Sequence, residues 1–285
     1  MAEIFSTVAG ALSVAALFDN CVNCFEYIQL GRHFGQDYER CRLKLDIAQA
    51  RLSRWGTAVA INDDPRFATA SPADAMTQRV QSILEEIGLL YRLAQKTSKR
   101  YELGATTEDL VLYQEEDMQP VFRRLHGHLG RVVRQRQKQT SLAKKVTWAL
   151  YEGRYFDRLI KEITGFVDDL ETIYPVEAAR RQLAQLEIER IVDEPSLKAI
   201  SNAAAGIDDV LAEVAARKIV IKNYAGRVDA QEKARVRVGN EFADAVFGHG
   251  VGITDETTNT AGRVDAKGDS AVHIGNKYGG RGIFD

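Results

Sequence analysis

The last quarter of this sequence lacks five residue types. After Leu211 there is no leucine, methionine, proline, cysteine or tryptophan, although residues 218–285 hold 11 of the 22 glycines. The apolar residues that remain there are mainly valine and isoleucine, which favour strands, and no proline interrupts a strand ladder. The composition therefore predicts strands and turns in this region. We place the boundary between domains 1–221 and 222–285.

Cysteine is scarce throughout the chain, with only Cys21, Cys24 and Cys41. An odd count without regular spacing excludes the disulfide framework of a small secreted protein. The first basic residue is Arg32, so the apolar N-terminus lacks the charged start of a secretory signal. No apolar run reaches the ~20 residues of an ordinary transmembrane helix. These absences predict a cytoplasmic protein.

Recognisable catalytic motifs are also missing. The sequence contains no phosphate-binding loop, dinucleotide fingerprint, HExxH pair or nucleophile elbow. The three cysteines and His33 offer four zinc ligands, but an apolar helix is an ordinary place for buried cysteine. We therefore expect no enzyme, no cofactor and no metal.

The first domain reads as all-α. Apolar residues recur at helical spacing over 37–58, 75–100, 155–174 and 176–192, and the five prolines fall between these runs. In the first run the apolar residues line one face, with arginine and lysine opposite. Typical helix lengths predict six to nine helices in a bundle. One short hairpin is allowed, with residues 110–114 as its candidate strand.

The N-terminal stretch of residues 4–18 carries no charge. As one helix it is about 22 Å long, shorter than the ~30 Å hydrocarbon core of a bilayer. We interpret it as a buried core helix in the resting protein. A second interpretation is that the same helix leaves the core and enters a membrane through its apolar residues, namely Ile4, Phe5, Val8, Leu12, Leu17 and Phe18.

A basic stretch lies between Asp117 and Glu152, where eight lysines and arginines occur without an acid. Such a stretch attracts anionic lipid at about 1 kcal/mol per basic residue. It is equally typical of a solvated helix face balanced by acids elsewhere, and both interpretations stay open. Nucleic acid is not expected as a partner, because no motif or interleaved aromatic residues accompany the charge.

An internal repeat dominates the second domain. Residues 223–242 and 259–278 are identical at ten of twenty positions, which is typical of stacked repeats. Residues 235–238 and 271–274 alternate between polar and apolar, as half-buried strands do. One copy therefore predicts a few short strands around a small apolar interior.

Direct stacking of the second copy on the first brings equivalent residues about 4.7 Å apart. Opposite charges then meet at Lys233/Asp269 and Glu241/Lys277. Two asparagine pairs form amide ladders, which favour in-register stacking, at Asn223/Asn259 and Asn240/Asn276. The like-charge pairs Arg227/Arg263 and Asp229/Asp265 are expected to pair with diagonal neighbours.

Two layers are fewer than the three or so repeats that a solenoid needs, and both ends expose open strand edges. We therefore expect the tail to be disordered alone and to stack on other copies of the chain. The alternative is a small monomeric β-domain with a duplicated hairpin. The few apolar residues in each repeat make a closed core less favourable.

The sequence resembles a known family along essentially its whole length. The similar segments are VAGALSVAALFDNCVNCFEYIQLGRHFG, DYERCRLKLDIAQARLSRWG, QKTSKRYEL, the run from Arg134 to Lys145, and IGNKYGGRG. They are similar to the HET-s/HET-S fungal heterokaryon-incompatibility proteins, whose N-terminal domain is the HeLo domain. The resemblance implies a prion-forming amyloid tail with two solenoid layers per chain. It also implies a pore-forming helical domain that a templated tail activates.

The resemblance also implies roles for single residues. It places Tyr278 and Phe284 in an aromatic C-terminal loop. His33 corresponds to a position that distinguishes the family's alleles, and histidine there resembles the toxic form. Gln231 opposite Lys267 lacks the acid of a family charge pair. The core-facing residues that it implies are Val228, Ala234, Val236, Val238, Val264, Val272 and Ile274.

Two functions follow from this interpretation. The first is a cell-death effector that moves from the cytoplasm to the plasma membrane when amyloid templating activates it. The second is an amyloid scaffold or adaptor whose helical domain only binds partners. The expected partners are the chain itself, an allelic or homologous prion protein or an upstream amyloid-signalling receptor, and anionic membrane lipid.

Overall fold

The computed structural model describes residues 12–137, 147–220, 223–239, 241–242, 259–275 and 277–278. Several predicted site residues lie outside these ranges, namely Ile4, Phe5, Val8, Asn240, Asn276 and Phe284. The chain divides into two compact units, Met1–Val214 and Ala215–Asp285.

The first unit is helical, which confirms the predicted fold class. The described residues form eight α-helices, with α8 continuing into the second unit. Their bounds are α1 (Val14–Cys24), α2 (Tyr38–Ala58), α3 (Ala75–Glu102), α4 (Pro120–Arg136), α5 (Gly153–Ile173), α6 (Glu177–Glu189), α7 (Glu194–Ala204) and α8 (Asp209–Val220).

Side-chain caps explain where several helices begin. Ser13 accepts a hydrogen bond from the backbone N–H of Ala16, at 3.2 Å. Asp74 and Asp193 cap α3 and α7 in the same way, at 2.8 Å and 3.0 Å. Each cap satisfies a backbone donor that the first helical turn leaves without a partner. The Ser13 cap also corrects one prediction, because the helix starts at Val14 and does not run unbroken over residues 4–18.

The predicted hairpin at residues 110–114 is wrong. Leu112 makes only an isolated antiparallel bridge with Gly31. The helical unit instead holds a parallel pair, β1 (Ile28–Leu30) with β2 (Trp148–Leu150). Three helices separate these strands in sequence, as a parallel connection requires. Strands of three residues are too short to show the alternation by which sequence analysis recognises them.

Helix α2 lies at the centre of the helical unit. It contacts α1, α4, α5, α6 and α7. Leu45, Ile47, Leu52 and Trp55 are fully buried on it. Because neighbours surround α2, it buries residues on more than the one face that the sequence pattern assigned to the core.

The described residues of the tail form three parallel strand pairs. The first repeat forms β3 (Asn223–Ala230), β4 (Arg235–Val238) and β5 (Glu241–Phe242), and the second forms β6 (Asn259–Ala266), β7 (Ala271–Ile274) and β8 (Lys277–Tyr278). Each strand pairs with its equivalent in the other repeat, 36 residues away. This is the two-layer arrangement that the sequence predicts for the assembled tail.

Candidate functional site

The stacked repeats align residue on equivalent residue. Asn223 pairs with Asn259 and Val228 with Val264 in the register of β3 and β6. Backbone hydrogen bonds also join the layers where the chain turns, from Lys267 N–H to the Ala230 carbonyl at 2.9 Å. The backbones of the two repeats are therefore hydrogen-bonded to each other in register.

Glycine permits the turn after β4 and β7. Gly239 and Gly275 have φ values of +146° and +144°. A Cβ atom at Gly239 would overlap the carbonyl group of Gly275 in the layer above. Both the backbone conformation and the close approach therefore require glycine at this turn.

The residues predicted to face the interior of the tail are not equally buried in the two repeats. Val228 is 6% exposed, whereas its partner Val264 is 38% exposed and Ile274 is 42% exposed. The remaining residues predicted to face the core are half-buried, namely Ala234, Val236, Val238 and Val272. In a single chain the second layer thus leaves apolar side chains in contact with water.

Charges on the outer face of β3 and β6 pair within one strand. Arg227 lies 2.7 Å from Asp229, and Arg263 lies 2.8 Å from Asp265. Residues two apart share a face of a strand. This in-strand pairing replaces the predicted diagonal pairing and makes each layer locally neutral, so stacking like on like costs little.

Two further predicted charge pairs occupy equivalent places in the repeats. Glu241 and Lys277 are partners in the register of β5 and β8. Lys233 and Asp269 are exposed and lie in the equivalent turns between β3 and β4 and between β6 and β7. Tyr278 pairs in register with Phe242.

His33 lies beside an acid in the helical unit. Its Nε2 is 3.2 Å from Asp109 Oδ1, and both side chains are more than a third exposed. The pKa of Asp109 is lowered, first by hydrogen bonds from the backbone and side chain of Thr106 and then by His33. The His33 imidazole thus lies next to a carboxylate.

The described part of the predicted membrane segment is only partly buried. Leu12 is 41% exposed, Leu17 is half-buried and Phe18 is 3% exposed. Within the described ranges no helix is both long and apolar enough to cross a bilayer.

The three thiols Cys21, Cys24 and Cys41 are buried and free of disulfides. Burial raises the pKa of each, to about 11 for Cys41. No cluster of three metal-ligating side chains occurs among the residues that the structure describes.

Part of the basic stretch is engaged within the fold. Arg123 donates to two backbone carbonyl groups, Arg124 lies 3.4 Å from Asp193, and Arg136 lies 2.6 Å from Glu187. The three lysines of the stretch lie outside the described residues. The structure thus shows some of these charges balanced by nearby acids and carbonyl groups.

A buried charge cluster on α2 was missed in the sequence. Arg54 is 1% exposed and makes two hydrogen bonds to Glu187, at 2.9 Å and 2.7 Å. It also lies 2.8 Å from Asp208. Although burial opposes its charge, these two carboxylates raise the pKa of Arg54. Arg54 therefore remains charged in the interior.

Arg51 repeats this pattern one helical turn earlier. It pairs with Asp168 and Glu171 of α5, both at 2.6 Å. Arginine on the polar face of an amphipathic helix is usually solvated, so the sequence pattern does not indicate that these residues are buried. A buried arginine on such a face differs from a solvated one only through the acids that other helices bring to it.

Comparisons with known proteins agree with this architecture. A family model described as prion-inhibition and propagation (HeLo) matches residues 6–200, and one described as Het-s 218-289 matches residues 216–279. Heterokaryon incompatibility proteins s and S of Podospora anserina are each 53% identical over 288 residues, covering both chains completely. The chain belongs to the HET-s/HET-S family. Its heterokaryon-incompatibility role and its prion-related tail follow from that membership.

Solved structures of the family support the helical unit. The HET-S N-terminal domain matches with a TM-score of 0.75 at 57% identity, covering 77% of this chain and 99% of that domain. A double mutant of the HET-s N-terminal domain matches with a TM-score of 0.72 at 56% identity, covering 73% and 99%. The helical unit is therefore a HeLo domain.

Proposed function

We propose that stacking of the tail on another copy of the chain activates the HeLo domain to permeabilise the plasma membrane. The observation that carries the proposal is the open second layer, where Val264 and Ile274 remain 38% and 42% exposed. Burying this surface is favourable, at about 25 cal/mol per Å². The first repeat of a second chain has the matching register, because the two repeats already match each other.

The short connection between α8 and the first tail strand supports the coupling of assembly to the HeLo domain. Helix α8 ends at Val220 and β3 begins at Asn223. Two layers give each chain about 9.4 Å along a stack. A domain of this size has a radius of gyration of roughly 17 Å. Neighbouring HeLo domains must therefore splay apart, or α8 must lose its helical structure.

The N-terminal segment is the part proposed to enter the membrane. Leu12 is already exposed, and release of α1 from the core would add Phe18 to the apolar surface. Released apolar side chains favour a bilayer over water. The basic stretch before Glu152 favours an anionic bilayer. We infer that the chain moves from the cytoplasm to the plasma membrane at this step.

A spacer experiment tests the coupling. About twenty Gly/Ser residues inserted after Lys222 relieve the crowding, so seeded fibrils should form while leakage of anionic vesicles falls sharply. The matched control carries the same insert between the repeats, after Gly248, where the distance from tail to HeLo domain is unchanged. Leakage equal to the parent from the Lys222 variant would remove crowding from the mechanism.

A substitution tests the N-terminal segment. Leu12→Glu should abolish seeded vesicle leakage and leave tail assembly unchanged, because a carboxylate opposes entry into the bilayer. Leu103→Glu is the control, since Leu103 is 90% exposed and lies at the end of α3. Equal leakage from both variants would exclude the N-terminal segment.

The second candidate is an amyloid scaffold whose HeLo domain only binds partners. It is favoured by the partial engagement of the basic stretch within the fold. The partners we propose in either case are the chain itself and an allelic or homologous prion protein or an upstream amyloid receptor, without nucleic acid or catalysis. Seeded assembly without leakage from any vesicle composition would select this candidate.

A further inference from the structure

The N-terminal end of α8 is held by α2. Asp208 is fully buried and accepts hydrogen bonds from the Leu211 N–H and from Arg54 Nη1, both at 3.1 Å. Arg51 Nη1 donates to the carbonyl of Ile207 at 2.7 Å. Asp208 is therefore the cap of α8 and at the same time a partner of the buried Arg54.

The same stretch of α2 holds α1 on another side. Gln49 donates to the Val22 carbonyl at 3.0 Å. The Trp55 and Phe18 rings lie 6.1 Å apart. A Cβ atom on Gly56 would overlap the Phe18 ring, so that ring packs directly on the helix backbone. Residues 49–56 of α2 thus contact α1 and the start of α8.

The charge balance of the cluster depends on Asp208. Arg54 and Arg136 pair with Glu187 and Asp208, so removal of Asp208 leaves one positive charge in excess around Arg54. A buried charge that loses its partner is strongly unfavourable. Arg54, which Asp208 contacts, directly precedes Trp55. The members are Arg51, Arg54, Arg136, Arg180, Asp168, Glu171, Glu187 and Asp208.

We propose that residues 49–56 couple the two ends of the HeLo domain. When α8 withdraws Asp208 from Arg54, the uncompensated arginine draws water or shifts α2, and the contact of Trp55 and Gly56 with Phe18 loosens. Release of the tail-proximal helix thereby releases α1. The biological role of this coupling rests on the proposed function, whereas its test needs neither a fibril nor a membrane.

Hydrogen exchange of the full-length, unassembled chain tests the coupling. Asp208→Asn should speed exchange of the α8 amides by about 100-fold, because a buried ion pair is lost. The coupling further requires exchange at least about ten-fold faster within α1, residues 14–24. Faster exchange in α8 with parental exchange in α1 would overturn the proposal.

Asp193→Asn is the matched control. Asp193 caps α7 as Asp208 caps α8, and its charged partner Arg124 is exposed and lies on α4. The chemical change is the same, and asparagine can still accept the capping hydrogen bond in each case, but α2 keeps its partners. Exchange within α1 should stay at the parental rate, and an equal increase there would show general destabilisation instead of coupling.

Two further variants keep the test decisive. If the Asp208→Asn chain does not fold, Arg54→Lys keeps the charge but loses the forked geometry toward Glu187 and Asp208, and should loosen α1 and α8 together. Arg54→Met with Asp208→Leu removes both charges, so release of α8 should leave α1 protected. The coupling is contradicted if α1 stays as protected as in the parent in the Arg54→Lys variant. It is also contradicted if α1 exchanges faster in the double variant with Arg54→Met and Asp208→Leu.

Seeded vesicle leakage separates this inference from the proposed function. If Asp208→Asn speeds exchange in α1 but the parent never permeabilises vesicles, the coupling is supported and the proposed function is contradicted. Gly56→Ala disturbs the Phe18 contact and should speed exchange in α1, and because a coupling free energy is reciprocal, it should also speed exchange in α8. Parental exchange in α8 beside faster exchange in α1 would contradict the coupling.

Discussion

The two units bury their apolar residues in different ways. In the helical unit Leu45, Ile47 and Trp55 are fully buried, because helices surround α2. In the strand unit Val264 and Ile274 remain about two-fifths exposed. A closed bundle satisfies its own core, whereas a two-layer stack has an end that another chain can cover. The difference teaches that one unit buries its apolar residues within a single chain, whereas the other leaves part of them exposed.

The two units also differ in whether their charged pairs are buried. The helical unit buries Arg54 between two carboxylates, each about 1% exposed. The strand unit keeps Arg227 and Asp229 at the surface, where such a pair contributes little stability. Removing one charge should therefore destabilise the helical unit strongly and the strand unit little, and substitutions can test this contrast.

The largest expected effect is on assembly. Val238→Asp places a carboxylate in the dry interior between layers, so seeded assembly of the full chain should be lost, with a critical concentration raised at least about 100-fold. Arg235→Asp is the control, because residue 235 points to the other face of the same strand. Normal fibrils from Val238→Asp would show that the inward face of β4 is assigned wrongly.

A substitution in the turn after β4 should cause a smaller loss of assembly. Gly239→Ala imposes an unfavourable φ and an overlap with Gly275, which should slow seeded assembly by about ten-fold or more. Thermal unfolding of the helical unit should not change. Gly153→Ala is a suitable comparison, since a Cβ there meets no neighbouring atom within 4 Å. Assembly at the parental rate would mean that the layers do not approach closely at this turn.

In the helical unit the largest effect should come from the buried cluster. Glu187→Ala removes a partner of Arg54 and Arg136, and should lower the free energy of unfolding by about 3–5 kcal/mol. Urea titration followed by circular dichroism measures this loss. Glu162→Ala breaks the exposed pair with Arg158 on α5 and should cause no measurable loss. Equal effects would mean that water reaches the cluster.

The smallest expected effects come from removing one methylene group in each unit. Ile47→Val should destabilise the helical unit by about 1 kcal/mol, because Ile47 is fully buried. Ile274→Val should leave the unassembled chain unchanged and weaken only the fibril. An effect of Ile274→Val on the unfolding of the unassembled chain would show that its side chain is already covered.

The sequence alone determined the order, type and register of the tail strands. Two copies of one pattern, 36 residues apart, specify which residue lies on which, since a shift by one residue would turn every side chain to the opposite face. The sequence also determined the helices with regular apolar spacing. Their observed ends lie within a few residues of those predicted for α2, α3 and α5.

Only the tertiary structure decided which side chains of different elements meet. It paired β1 with β2 across three intervening helices, placed Asp109 beside His33, and buried Arg51 and Arg54 on a helix face that the pattern marks as polar. Periodicity reports how residues are arranged along one element. The partner of a buried charge comes from distant elements, because the packing of the whole bundle brings Asp208 and Glu187 to the same arginine.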